Sequence, residues 1–245
     1  MSVVRKILFK VLGVKKYLAF ISKIYIRRVE KGKYQEKYPE LHFLKHFIQP
    51  HFYCIDIGAN LGYYSYFLSK YAHQGKVWGV EPVPIFAEIL KKNCSSLNFT
   101  HVPYALGGEN TIITMTTPMV NGVFRHGLTK ISTDKDSENS SHTYQVEMKI
   151  PDELFHDFPH LDFVKCDVEG YEYIIFQNFM KVIQRHLPIL QIEIQPHLRE
   201  NMYTLLQPLG YVPHKLENQA WVTLSYENYL SLMQDIYFLP SATIH

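Results

Sequence analysis

At 245 residues, 47% of them hydrophobic, the chain can bury one substantial core and is too short for two full domains. Three cysteines, odd in number and without a CxxC spacing, exclude a disulfide framework and leave a reducing cytosol as the default setting. Lys and Arg (25) nearly balance Asp and Glu (23), yet eleven of the cations fall between Arg5 and Lys37 against Glu30 and Glu36 alone, a net +9 there and −7 on the remainder. That asymmetry predicts a basic extension, residues 1–40, that meets an anionic surface, joined to a mildly acidic body, residues 41–245; a solvated helix face is the plainer alternative.

In chain order, Val4, Ile7, Leu8, Val11, Val14, Leu18 and Ile21 form a helical stripe with many of the cations opposite. Lys10, Lys15, Lys16 and Lys23 interrupt every apolar run before the roughly 18 residues that a spanning helix needs, so neither a transmembrane segment nor a cleaved leader is expected. Such a helix suits a membrane interface, and Phe9, Phe20 and Ile24 off the stripe suit packing on the protein or a partner equally well. A nucleic-acid arm ranks last, for want of interleaved Gly or Arg-rich composition.

Beyond this extension Leu41–Ile48 reads as a short helix closed by Pro50, and then strands and helices alternate. Strands are expected at 52–57, 76–80, 99–104, 161–166 and 189–194, helices at 64–71, 85–94, 171–183 and 197–207. Residues 111–117 and 144–150 alternate and are β-branched, as an antiparallel pair around the polar loop Ser132–Thr143; residues 211–215 and 221–225 resemble a closing hairpin. The alternation implies an α/β fold, a mostly parallel, doubly wound sheet covered on both faces and ending in an antiparallel hairpin.

In such sheets ligands bind beyond the carboxyl ends of the strands, where strand order reverses. The stretch CIDIGANLGYYS, Cys54 to Ser65, ends the first strand in the pattern D-x-G-x-N-x-G. Gly58 and Gly62 permit a sharp turn and close approach of a ligand, and Asn60 tolerates a left-handed backbone. Asp56 would repel the pyrophosphate that a G-x-G-x-x-G turn receives, and would attract an ammonium on a phosphate-free ligand. S-adenosylmethionine meets both conditions. Glu81, nineteen residues after Gly62, ends the second strand where a carboxylate can accept from both ribose hydroxyls. Ala105 and Leu106 are small and apolar enough to line an adenine face.

Together with a third string, VKCDVEGYE from Val164 to Glu172, these motifs in this order and spacing closely resemble the FkbM family of S-adenosylmethionine-dependent methyltransferases, from about Phe52 to Pro196. The resemblance implies a Rossmann-like class I methyltransferase in which Asp56, Gly58, Asn60 and Gly62 cradle the methionine part, Glu81 holds the ribose and Asp167 to Glu172 border the reacting center. It also implies a following strand, LQIEI, with Glu193 at its active end. Ile150-Pro151-Asp152-Glu153 departs from the family's usual Leu-Asp pair, and the basic extension lies outside the resemblance.

Candidate bases are Asp167, Glu169 and Glu193, since clustered carboxylates raise one another's pKa; His126, in the loop Asn121–Lys130 with Arg125 and Lys130, is a lesser one. The same acids can instead cap or pair locally. No spacing is diagnostic of a metal, and none is expected. The expected activity is O-methylation of a hydroxyl in a sugar, glycan, glycolipid or secondary metabolite, with a small-molecule, glycan or lipid-linked acceptor, no nucleic-acid partner, and a cytoplasmic protein peripheral to the inner membrane face through its first helix. An NAD-dependent oxidoreductase and a non-catalytic binder of S-adenosylmethionine are the alternatives.

Overall fold

The computed structural model describes residues 3–120, 123–132, 141–232 and 234–241, apart from the side chains of residues 3–8, 10, 120, 123 and 141. Asn121, Gly122 and the Ser-rich stretch 133–140 of the expected loops therefore lie outside the described residues, as do the side chains of Val4, Ile7 and Leu8 in the helical stripe.

The chain begins with α1 (Val3–Glu30) and α2 (Pro39–Phe47), followed by β1 (Tyr53–Ile57), α3 (Tyr63–Tyr71), β2 (Lys76–Val80), α4 (Pro84–Asn93) and β3 (Phe99–Val102). An insertion follows: β4 (Ala105–Leu106), β5 (Thr111–Val120), β6 (Val123–Phe124), β7 (Lys130–Ile131) and β8 (Ser141–Lys149). Then come α5 (Pro151–Leu154), β9 (Phe163–Cys166), α6 (Glu172–Gln177), α7 (Met180–His186) and β10 (Ile189–Ile192). The chain closes with α8 (Arg199–Leu206), β11 (Tyr211–Glu217), β12 (Ala220–Thr223), α9 (Tyr226–Ser231) and β13 (Ile236–Pro240).

The main sheet has the order β12-β11-β13-β10-β9-β1-β2-β3, with β3, β2, β1, β9 and β10 parallel. Its apolar runs are buried on both sides, and alternate residues go to opposite layers. Ile55, Val164, Leu190 and Phe238 pack with α6, α7 and α8, while Cys54, Phe163, Ile189 and Tyr237 pack with α2 and α3. This is the doubly wound, Rossmann-like architecture. Strand order reverses between β1 and β9, so their carboxyl ends form the crevice where such sheets hold ligands.

Three details differ from expectation. The hairpin β11–β12 does not abut the parallel strands, because β13, all of it buried, lies antiparallel between β11 and β10. One helix expected at 171–183 is two, broken at Asn178 and Phe179. The break is fixed from outside: the Asp152 carboxylate accepts from the Lys181 and Val182 amides at 3.1 and 3.0 Å, capping α7 where its own sequence supplies no cap. Ala105 and Leu106 do not continue the third strand but pair with β8 in the second sheet, β4-β8-β5-β6. The expected antiparallel pair is present there, from Thr111↔Met148 to Pro118↔Ser141.

Helix α1, kinked at Gly13, packs on the body: Tyr17 and Leu18 against Phe86, Ile89 and Phe124, and Ile26 and Val29 in the α2–α3 layer. Glu30 accepts from Lys70 at 2.6 Å and from the Tyr66 hydroxyl at 3.0 Å, and Lys15 pairs with Glu88. Lys16, Phe20, Lys23 and Arg27 face outward. Among the described residues no helix is long and apolar enough to cross a membrane. Cys54, Cys94 and Cys166 are free and buried, as small core hydrophobes.

Candidate active site

After β1 the chain takes left-handed backbone at Gly58 (φ 82°), Asn60 (φ 50°) and Gly62 (φ 86°), a turn that only Gly and Asn adopt readily. A Cβ on Gly58 would lie 1.9 Å from the Asp167 carbonyl oxygen, so the ends of β1 and β9 meet backbone to backbone. Gly62 opens α3 and faces Leu90 of α4; it shapes the turn and lines neither of the cavities below.

A first cavity of about 240 Å³ opens beyond β1, β2 and the insertion, walled largely by apolar groups: Ile57, Val80, Pro82, Tyr104, Ala105, Leu106 and Met115. Glu81 stands in it, only 5% exposed, with one carboxylate oxygen accepting from the Val83 amide at 2.7 Å and the other from the Asn60 amide at 2.9 Å. Burial outweighs those bonds and pushes its pKa up to about 8. In the ionized form each oxygen keeps lone-pair capacity for a further donor.

The Asn60 side chain is clasped by the insertion: its amide donates to the His126 carbonyl, and its oxygen accepts from His126 Nδ1, both at 2.8 Å. Burial, then the nearby Arg125, hold His126 down at about 4. Held by one ring nitrogen and by its own carbonyl, His126 latches the insertion onto the glycine turn.

A second cavity of about 350 Å³ lies on the other side of the turn and contains Asp56, Tyr64, Lys165, Asp167, Glu193 and Asp235. Gly58, Asn60, Tyr63 and Asp167 belong to both linings, so the two cavities meet at the reversal of strand order. Asp56, 2% exposed, accepts from the Ser65 hydroxyl at 2.6 Å; burial raises its pKa, and Lys165 works against the rise. Lys165 Nζ lies 3.1 Å from Asp167 Oδ2 and 4.6 Å from the Tyr64 ring centroid. Burial opposes its charge, but Asp167, Asp235 and Asp56 together outweigh that and raise its pKa.

The remaining acids divide by role. Glu169 has left-handed backbone (φ 55°) and lines the first cavity, pushed up to about 6 by burial, then by Asp167 and Glu172. Glu172 is 1% exposed and accepts from the Gly170 and Val168 amides at 3.0 and 3.3 Å; it fixes the turn and lines neither cavity. Glu193, at the rim of the second cavity, is raised to about 7 by desolvation, then by Asp167 and Asp235. Among the described residues no group of three or more His, Cys, Asp or Glu side chains is arranged to hold a metal. Sequence reasoning missed Lys165, although its place two residues before Asp167 on a strand puts both on one face. It gave no role to Tyr63 and Tyr64, although both stand in the stretch CIDIGANLGYYS, and it missed Asp235, whose sequence surroundings carry no signal.

An acid-lined crevice at the reversal point of a doubly wound sheet is a Rossmann-like site whose charge suits a nucleoside that carries positive charge. The sequence profile described as the methyltransferase FkbM domain matches residues 56–213, and the chain belongs to that family of S-adenosylmethionine-dependent methyltransferases. Among solved structures, it is similar to the methyltransferase FkbM of Methylobacillus flagellatus KT (18% identity, 78% of this chain and 44% of that one, TM-score 0.49). It is also similar to a precorrin-6y C5,15-methyltransferase of Geobacter metallireducens GS-15 (14%, 83% and 87%, TM-score 0.45) and an S-adenosylmethionine-dependent O-methyltransferase of Thermotoga maritima (12%, 82% and 63%, TM-score 0.44). The chain thus spans less than half the length of the Methylobacillus protein. Compared with curated proteins, it finds no match.

Proposed function

We propose that this methyltransferase acts on a hydroxyl of a sugar, glycan, glycolipid or secondary metabolite, with Glu193 as the base. The observation that carries this reading is the pair of unlike cavities joined through Gly58, Asn60, Tyr63 and Asp167. The residues fit S-adenosylmethionine: Glu81 for the ribose hydroxyls, Ala105, Leu106 and Tyr104 for the adenine, Asp56 and Gly58 for the aminoacyl part. Asp56 and Gly58 also line the second cavity, so the aminoacyl part reaches its edge, and the remainder of that cavity is left for the acceptor.

The bound cofactor supplies an activated methyl group on a sulfonium. The chain's own task is chiefly alignment, worth on the order of 7–11 kcal/mol, whereas a general base adds about 10²- to 10⁴-fold. An alcohol must still lose its proton as it attacks, which asks for a base titrating near neutrality. Glu193 (about 7) meets that better than Glu169 (about 6), which lines the other cavity, or Asp167, which is engaged by Lys165. Asp167 and Lys165 then serve to fix the junction.

Incubation with isotopically labeled S-adenosylmethionine and fractionated cell extract tests the reading. Mass spectrometry should find the label on an oxygen of a hydroxyl compound, and lose it with Glu193→Gln; label on nitrogen, carbon or nucleic acid would reject the O-methyl assignment. The outward cations of α1 around Phe20 support a peripheral role at an anionic membrane. Flotation of the full chain with phosphatidylserine vesicles, against a Lys16→Glu, Lys23→Glu, Arg27→Glu variant, should show binding lost with the charges; an unbound full chain rejects it.

A further inference from the structure

Part of the second cavity is built by residues that precede the matched domain. Tyr25 from the end of α1, Lys37 and Tyr38 from the connection, and Glu40 and Leu41 from the start of α2 all line it beside Asp56, Asp167 and Glu193. We infer that this wall selects the acceptor, and that the hydroxyl compound it admits carries an ammonium group and no phosphate or carboxylate. The inference rests on the methyltransferase reading above, in which this cavity receives the acceptor.

The wall is aromatic, with Tyr25, Tyr38, Tyr63 and Tyr64 all in the lining. The Tyr25 ring lies 4.3 Å from that of Tyr63 and, edge to face, 5.3 Å from that of Tyr38, centroid to centroid. Burial raises the Tyr25 hydroxyl pKa, with Tyr38 adding to it, so the Tyr25 ring stays neutral. Faces of this kind attract ammonium groups, most strongly where water is partly excluded.

Its electrostatics point the same way. Five carboxylates, Glu40, Asp56, Asp167, Glu193 and Asp235, line the cavity against two ammonium groups, Lys37 and Lys165. Lys165 is paired with Asp167, and the exposed Lys37 stands over the Tyr38 ring at 4.9 Å. Among the described residues Glu40, Glu193 and Asp235 have no ion-pair partner; Asp235 accepts only from the Gln191 amide, at 2.7 Å. Counted formally, the lining stays net negative after S-adenosylmethionine adds its single positive charge; burial raises the pKa of Glu40, Asp56 and Glu193, and an ammonium beside them favors their charged forms. An anionic acceptor would meet like charge at close range, whereas an ammonium would meet carboxylates and aromatic faces together.

The test uses the full chain, labeled S-adenosylmethionine and a small-molecule cell extract separated by ion exchange into cationic, neutral and anionic pools. Label is expected in the cationic pool, with Glu40→Gln raising KM for the active fraction about tenfold at unchanged kcat, and Glu40→Lys removing the preference for that pool. Binding of S-adenosylhomocysteine, measured by calorimetry, should be the same in both variants and in the parent chain. Label confined to the neutral or anionic pool, preference that survives Glu40→Lys, or no label in any pool despite S-adenosylhomocysteine binding overturns the inference alone. Failure of the parent chain to bind S-adenosylhomocysteine overturns the methyltransferase reading and takes the inference with it.

Discussion

The two cavities share four residues and differ in nearly everything else. The first is an apolar slot with one buried carboxylate, Glu81, whose oxygens are organized by backbone amides. The second gathers five carboxylates and a buried lysine beneath an aromatic wall. A flat, neutral base calls for the first environment; charged, reacting groups call for the second, where fixed charges can orient a substrate and hold a carboxylate near neutrality. The division of labor within one crevice is therefore electrostatic, and the turn at Gly58 is its boundary.

The most disruptive way to break that division is Gly58→Ala. With left-handed backbone and a Cβ driven into the Asp167 carbonyl, the ends of β1 and β9 must separate. Denaturant unfolding should show a loss of at least about 3 kcal/mol, from overpacking and backbone strain combined. Glu193→Gln acts on the acidic cavity alone: kcat should fall about 10²- to 10⁴-fold with stability held. The base works deprotonated, so kcat/KM of the parent chain should rise with pH through about 7, and that limb should vanish in the variant.

Glu81→Gln acts on the apolar cavity. One backbone amide, of Val83 or Asn60, then faces an amide donor, which should cost about 1–3 kcal/mol in stability and weaken S-adenosylhomocysteine binding. There is a pH signature as well. Folded Glu81 keeps its proton up to about 8 whereas its ordinary value is 4.5, so folding takes up a proton and stability falls as pH rises through that window. The variant should flatten the slope. The smallest effect is expected from Glu169→Gly, which relieves a left-handed non-glycine residue and should raise stability by up to about 1 kcal/mol, read as an increase in melting temperature.

The glycine turn shared by the two cavities and the Glu81 end of the first were far more legible in the sequence than the aromatic wall of the second. D-x-G-x-N-x-G and the strand-end Glu81 are local signals, written by backbone geometry at one turn, and the parallel strands announce themselves as apolar runs. The second cavity is assembled from Tyr25, Glu40, Glu193 and Asp235, far apart in the chain, and tertiary packing alone brings them together. The basic composition of the first 40 residues drew attention to their outward charges, whereas their contribution to the second cavity is Tyr25, Tyr38 and Glu40 with one of the cations, Lys37. Strand β13 escaped notice because a run of five residues, IYFLP, is too short for periodicity to assign. Asp152, a departure from the family pattern, turned out to cap α7, a contact between segments about 30 residues apart.

The most direct measurement is calorimetric titration of the full chain with S-adenosylhomocysteine and, separately, with NAD. Binding of the nucleoside with little or no uptake of the dinucleotide, and reversal toward weaker nucleoside binding in Asp56→Asn, is the result that follows from an acid-lined, phosphate-excluding crevice. Retention of NAD with no affinity for S-adenosylhomocysteine would contradict it.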